Sequence, residues 1–156
     1  MNNDRKISIS KNEFDFLNEY WDIYRKLLFQ SRNDQELIDT KNLFKKVDHN
    51  GGKIIFVGNG ASASLSSHAA TDLTKQGKIK SIALNDHNLI TALSNDYGYE
   101  NWVAKALEYY CETNDLLVLI SVSGESNNLV NAVKYAKKNS IGTLSITGFH
   151  KKNKLK

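Results

Sequence analysis

The 156-residue sequence contains no proline, a single cysteine and no long apolar run, and each absence narrows what the chain can be. At an average usage of about 5% a chain of this length carries roughly eight prolines; without them no proline-rich spacer divides it. Cys111 has no second cysteine to pair with, which fits a reducing cytoplasm. It also lacks an evident catalytic partner and reads as a packing residue. The longest uninterrupted apolar stretch, Leu116–Ile120, is far shorter than the roughly 20 residues of a transmembrane helix. Residues Met1–Ser10 are polar and lack the apolar centre of a secretory signal. Excess charge is small as well: 21 basic against 17 acidic residues give +4, and Lys151, Lys152, Lys154 and Lys156 crowd the last six positions. That tail reads as a solvated basic end. The rest is close to neutral, so neither a nucleic-acid nor a membrane-binding stripe is expected. What remains is 40% hydrophobic and 24% charged, the composition of a globular domain with a core.

The first segment has helical periodicity. Ser10-Lys11-Asn12-Glu13 has the form of a capping box, a hydroxyl to the third amide and a glutamate back to the cap. Behind it Phe14, Leu17, Trp21, Tyr24 and Leu28 recur every three or four residues, and Phe16, Tyr20, Ile23 and Leu27 form a second stripe. One helix with two apolar faces must be sandwiched, and a subunit interface is the expected second surface. A second helix is predicted from Asp34 to Val47 with Leu37, Leu43, Phe44 and Val47 inward, followed by a turn at Asp48–Gly52.

From Lys53 short apolar strands alternate with helical stretches. Strands are predicted at Ile54–Val57, Ser81–Leu84, Leu116–Ile120 and Thr143–Ile146, with helices from Ser62, about His87 and about Glu125. Strands that are continuously apolar, each followed by a helix, indicate a parallel sheet covered on both faces. The expected fold is α/β, with assembly helices over 1–50 and a binding domain over 51–156 forming one domain together.

Two strand ends carry unusual loops: Gly58-Asn59-Gly60-Ala61-Ser62 and Ser121-Val122-Ser123-Gly124-Glu125-Ser126. Small residues and hydroxyls at strand-to-helix turns offer amides, the positive end of a helix dipole and side-chain donors to a phosphate. Neither loop is a P-loop or a GxGxxG turn, and each alone could be no more than a cap. On the helix after the first loop, His68 and Asp72 are neighbours at i,i+4, with Leu65 on the same side. Such a pair can move protons, hold a metal, or form an ordinary surface hydrogen bond. Ser94–Glu100, with Asn95-Asp96 and Gly98, reads as a structured turn. His49, His87 and His150 belong to no constellation.

Four segments, in order and with matching spacing over about Phe14–Gly148, resemble the sugar-isomerase (SIS) domains of the phosphoheptose isomerase type. They are Gly58-Asn59-Gly60-Ala61-Ser62-Ala63 with His68-Ala69-Ala70; Ala83-Leu84 with Thr91-Ala92-Leu93; Asn95-Asp96-Tyr97-Gly98-Tyr99-Glu100; and Ile120-Ser121-Val122-Ser123-Gly124-Glu125-Ser126-Asn127. The resemblance implies a flavodoxin-like domain in a cytoplasmic homotetramer assembled through its N-terminal helices. The implied reaction is isomerisation of sedoheptulose 7-phosphate to D-glycero-D-manno-heptose 7-phosphate. It further implies that Ser62, Ser121, Ser123 and Ser126 hold the phosphate, with the backbones of Asn59, Gly60, Ala61 and Val122 closing the cradle. Asn95 and Asp96 would touch the sugar chain, Asp72 would be the base beside His68, and no cofactor is required. In zinc-containing relatives, His68 and Asp72 match two of the ligands.

Two departures qualify these implications. Where the family has a glutamate, Asp72 is one methylene shorter, and a misplacement of about 1 Å can cost about 100-fold in rate. The family also continues beyond Thr147-Gly148 with a strand and a helix that bear a second acid/base group and further ligands, and Phe149–Lys156 offers no replacement. The sequence therefore reads as a phosphoheptose isomerase, in full or in part. The alternative is a non-catalytic phosphosugar-binding or scaffold protein of the initiator-associating type.

Overall fold

The computed structural model describes residues 12–29, 34–148 and 152–155. Two helices, α1 (Glu13–Phe29) and α2 (Asp34–His49), precede four parallel strands: β1 (Ile54–Gly58), β2 (Ser81–Ala83), β3 (Leu116–Ser121) and β4 (Gly142–Thr147). Between the strands lie α3 (Ala61–Lys75), α4 (His87–Tyr97), α5 (Trp102–Tyr110) and α6 (Asn127–Lys138). The strands stand in the order β2-β1-β3-β4, a flavodoxin-like arrangement.

The inner strands explain why the sheet forms. Every residue of β1 is buried, and Leu116–Leu119 of β3 are 0–2% exposed. Because side chains alternate across a strand, each inner strand feeds two cores. Ile55, Val57, Leu117 and Leu119 pack with Leu93 of α4, Trp102 and Leu107 of α5, and Leu129 and Val133 of α6. Ile54, Phe56, Leu116 and Val118 pack on the opposite face with Ala70 of α3 and with Leu43, Phe44 and Val47 of α2. Phe44 and Phe56 meet edge to face, with centroids 6.3 Å apart. Asp115, 4% exposed, ties the starts of β1 and β3: its carboxylate accepts from the Lys53 amide at 2.8 Å and the Glu112 amide at 2.7 Å, and pairs with the Lys53 ammonium.

The expected capping residue, Ser10, lies outside the described residues; at the start of α1 the Phe14 amide donates to Asn12 Oδ1 at 3.1 Å. Several other local expectations need correction. Leu37 is 68% exposed and not inward-facing. Asn95 and Asp96 belong to the last turn of α4, and Gly98 ends that helix at φ +83°, so the turn comes later than expected. A separate helix, α5, then follows. The sequence reading assigns no element to this stretch, whose apolar run from Trp102 to Leu107 is buried in the core. The basic tail is not simply solvated, because Leu155 is 6% exposed and belongs to the core.

The chain divides into two compact units, Met1–Asp39 and Thr40–Lys156, with the boundary inside α2. In the first unit α1 buries none of its residues, and its apolar side chains are 38–73% exposed. Among the described residues no helix is long and apolar enough to cross a membrane.

Candidate functional site

β1 and β3 are neighbours in register, with Gly58 opposite Ile120, so the loops at their C-terminal ends leave the sheet together. This is also where the strand order reverses, the crevice in which open α/β sheets bind ligands. Gly58 permits the first loop to close. A Cβ there would lie 2.7 Å from the Ser62 carbonyl, so any other residue would push α3 off the strand end.

The two loops enclose a cavity of about 220 Å³ lined by Asn59, Ser62, Ile120, Ser121, Val122, Ser123 and Ser126. The structure thus brings six of the expected residues around one space. Gly60 and Ala61 lie in the same loop without lining it, and Asn95 and Asp96 do not line it. The loop amides are more committed than expected. Ser62 N–H donates to Asn59 O at 3.1 Å and Ala63 N–H to Gly60 O at 2.9 Å. Gly124 N–H donates to Ser121 Oγ at 3.1 Å and Glu125 N–H to Ser123 Oγ at 3.2 Å. Each of these two serine oxygens accepts from its own loop and keeps a hydroxyl proton to donate. Ser126 caps α6 without a side-chain capping bond, so its hydroxyl is not spent on the helix. Among the described residues the cavity is lined by a neutral donor set at two helix N-termini, without Lys or Arg.

Residues that sequence reasoning missed hold this geometry. Asn59 Nδ2 donates to Asn128 Oδ1 at 3.0 Å and Asn128 Nδ2 returns a bond to Asn59 Oδ1 at 2.9 Å, a reciprocal pair that bolts one loop to the other. Tyr99 O–H donates to the same Asn59 oxygen at 3.2 Å. Asn59 therefore acts as a strut as well as a lining residue. Asn85 Nδ2 reaches Ala63 O and Ser67 Oγ, both at 3.0 Å, and anchors the first turns of α3. The second asparagine after Ser126 was the available signal for the strut; nothing local marks Tyr99 or Asn85.

His68 and Asp72 lie on the outward side of α3, opposite the buried Ser62, Ser66 and Ala70. His68 Nε2 and Asp72 Oδ2 are 3.2 Å apart, with side chains 78% and 55% exposed. A zinc site closes with about four ligands. This pair supplies two, and among the described residues no group of three or more His, Cys, Asp or Glu side chains is placed to hold a metal. The described residues do not by themselves fit a zinc ion. Asp96 Oδ1 accepts from Asn95 Nδ2 at 2.9 Å on the exposed end of α4. Cys111 is half-buried; burial, with the Asp115 charge beside it, pushes its thiol up to about 12, so it is no nucleophile at neutral pH.

A parallel sheet with two hydroxyl-rich loops converging at the reversal of its strand order is the frame of a ligand-binding α/β domain. Residues 16–148 match the SIS domain model, and the chain belongs to the SIS domain family. Its curated relatives include the phosphoheptose isomerase of Helicobacter pylori (strain HPAG1), 44% identical over 105 residues, 64% of this chain and 55% of that one. The phosphoheptose isomerase of Akkermansia muciniphila is 40% identical over 104 residues, 63% of this chain and 55% of that one. Among solved structures, the phosphoheptose isomerase from Neisseria gonorrhoeae superposes with a TM-score of 0.78 at 30% identity, covering 88% of this chain and 74% of that one. The one from Francisella tularensis gives 0.81 at 26% identity, covering 92% and 79%. The match to the two curated relatives spans a little over half of their length.

Proposed function

We propose that this chain belongs to a phosphoheptose isomerase acting on sedoheptulose 7-phosphate. The observation that carries the reading is the cavity where Ser62 meets the Ser121–Ser126 loop. A phosphate there receives hydroxyl protons from both sides, and the α3 and α6 dipoles favour its charge. Proton transfer is assigned to His68 and Asp72 on the resemblance to phosphoheptose isomerases; the pair faces outward from α3, away from the buried Ser62, so position along the helix axis alone does not join it to the phosphate anchor. Asp72 takes the carbon-bound proton next to the ketone while the ketone oxygen is protonated, giving an enediol. Returning a proton to the neighbouring carbon and releasing one from the terminal hydroxyl gives the aldose. Asn95 and Asp96 hold hydroxyls of the sugar, and no cofactor is required.

Asp72 is half-exposed, whereas proton abstraction from carbon favours a site that excludes water. A second wall is therefore needed, from another copy of the chain or from residues outside those described. The reading is a cytoplasmic homotetramer assembled through residues 1–50, with 51–156 as the binding domain. The same exposure, together with the shorter carboxylate, favours the second reading, a phosphosugar-binding or scaffold protein without turnover. Exchange of the substrate's carbon-bound proton with deuterated solvent, followed by NMR, separates them. The enzyme exchanges and Asp72→Asn abolishes it, because that swap keeps shape while removing basicity. Exchange that persists in Asp72→Asn removes this residue from the mechanism; no exchange with intact phosphate binding favours the scaffold.

A further inference from the structure

The turn between α4 and α5 meets the phosphate cavity through a residue that the proposed chemistry does not use. Asn95 and Asp96 do not line the cavity, but Tyr99, just beyond them, bonds a residue that does: its O–H donates to Asn59 Oδ1 at 3.2 Å. Gly98 makes that reach possible. At φ +83° it turns the chain out of α4, and a Cβ there would lie 2.8 Å from Glu100 Oε1. α6 then braces the turn, because Asn131 Nδ2 donates to Glu100 O at 3.0 Å and to Asn101 Oδ1 at 3.2 Å. Asn128, which pairs with Asn59, belongs to the same helix. One helix therefore places both partners of the Asn59 side chain.

These bonds leave Asn59 with one free hydrogen-bonding position, and it is a donor. Oδ1 accepts from Asn128 Nδ2 at 2.9 Å and from Tyr99, which uses both lone pairs of a carbonyl oxygen. Nδ2 gives one proton to Asn128 Oδ1 at 3.0 Å, and its second N–H has no partner among the described residues. Asn59 lines the cavity whereas Asn128 and Tyr99 do not, so this N–H is what the side chain has left for a ligand. The asparagine pair alone does not choose that arrangement. With both amides turned over the pair is equally bonded, and Asn59 then offers a carbonyl lone pair, which repels an anion. Tyr99 breaks the tie. A phenol is a better donor than acceptor, because its oxygen lone pair is drawn into the ring, so its hydroxyl favours Oδ1 over Nδ2 as neighbour. Donation to Oδ1 also polarises the amide and strengthens the remaining N–H.

We propose that Tyr99 is a positioning residue of the phosphate site: by donating to Asn59 Oδ1 it keeps that side chain turned so that an Nδ2 proton joins the hydroxyls of Ser62, Ser121, Ser123 and Ser126 as a donor to the anion. This rests on the phosphate reading above, and the test separates the two. Inorganic phosphate is titrated into the full nitrogen-15-labelled chain and into Tyr99→Phe, followed by calorimetry and by NMR of backbone and side-chain amides. Tyr99→Phe removes one hydroxyl and keeps the ring. It is expected to weaken binding about three- to tenfold, the worth of one ordinary hydrogen bond. The melting temperature stays nearly unchanged, because Tyr99 is 54% exposed. In the unaltered chain one Asn59 Nδ2 proton shifts on saturation with phosphate, and that shift shrinks in Tyr99→Phe at saturation. A Tyr99 that only packed the turn would leave the shift at saturation intact. Unchanged affinity in Tyr99→Phe, or an Asn59 side-chain signal that ignores phosphate, overturns the assignment. If the Ser121–Ser126 amides respond while Asn59 Nδ2 is silent, only the Tyr99 assignment falls; if neither responds, the phosphate site itself is wrong.

Discussion

Ser121 and Ser123 carry the site at the scale of single residues, because each satisfies an amide of its own loop and still has a proton to give. An alanine at either position costs the cavity a donor and leaves a loop amide unpaired, so the two effects add at one place. Cys111 shows the opposite situation, a reactive atom made inert by its surroundings. Its thiol is pushed up to about 12, first by burial and then by the Asp115 charge. The sign follows from the neutral form being favoured in the fold. Below the unfolded value near 8.5 the thiol is protonated in both states and costs nothing. Above it the unfolded chain ionises while the folded chain does not, so stability is lost as pH rises towards 12. Iodoacetamide at pH 8 is therefore expected to leave Cys111 intact in the native chain and to modify it in urea. Rapid native-state alkylation, read by mass spectrometry, would contradict that placement.

Among the elements, the two inner strands and the two loops they release form the scaffold of the site. Asn128, 2% exposed, joins those loops through its reciprocal bond with Asn59. Asn128→Ala leaves Asn59 Nδ2 without its acceptor and Asn59 Oδ1 with the Tyr99 hydroxyl alone, and is expected to cost about 1–3 kcal/mol in urea unfolding, with weaker phosphate binding. An unchanged unfolding midpoint would mean the strut carries no weight. The strands were legible because β1 and β3 are apolar without a break, a pattern that only burial on both faces explains. The serine loops were legible because hydroxyls and glycines at strand ends have a chemical use. Residue spacing could not reveal that Asn59 and Asn128 pair across 69 positions, or that Asn153 and Lys154 return to the serine loop. Those contacts depend on topology. The α4–α5 boundary was missed for a different reason: Asn-Asp and Gly signal a turn equally well inside a helix end and beyond it.

At the scale of the whole molecule, α1 is the feature that a single chain leaves unexplained. Phe14 and Phe29 are each 73% exposed, Leu27 62% and Trp21 55%. Apolar surface of that extent marks an interaction face. A homotetramer is the expected state, and Trp21→Glu with Leu17→Glu should dissociate it. Light scattering checks this: a species of 17.6 kDa at micromolar concentration would contradict assembly. The proposed function rests on a phosphate being held between the two strand-end loops. Titration of sedoheptulose 7-phosphate into the isotopically labelled chain, followed by amide NMR shifts, tests that location directly. Saturable shifts at Asn59–Ser62 and Ser121–Ser126, lost in Ser121→Ala/Ser123→Ala, are the predicted result. Shifts centred on a different groove, between Ser67–Lys75 of α3 and Ser81–Ala83 of β2, or no shifts at all, would contradict it.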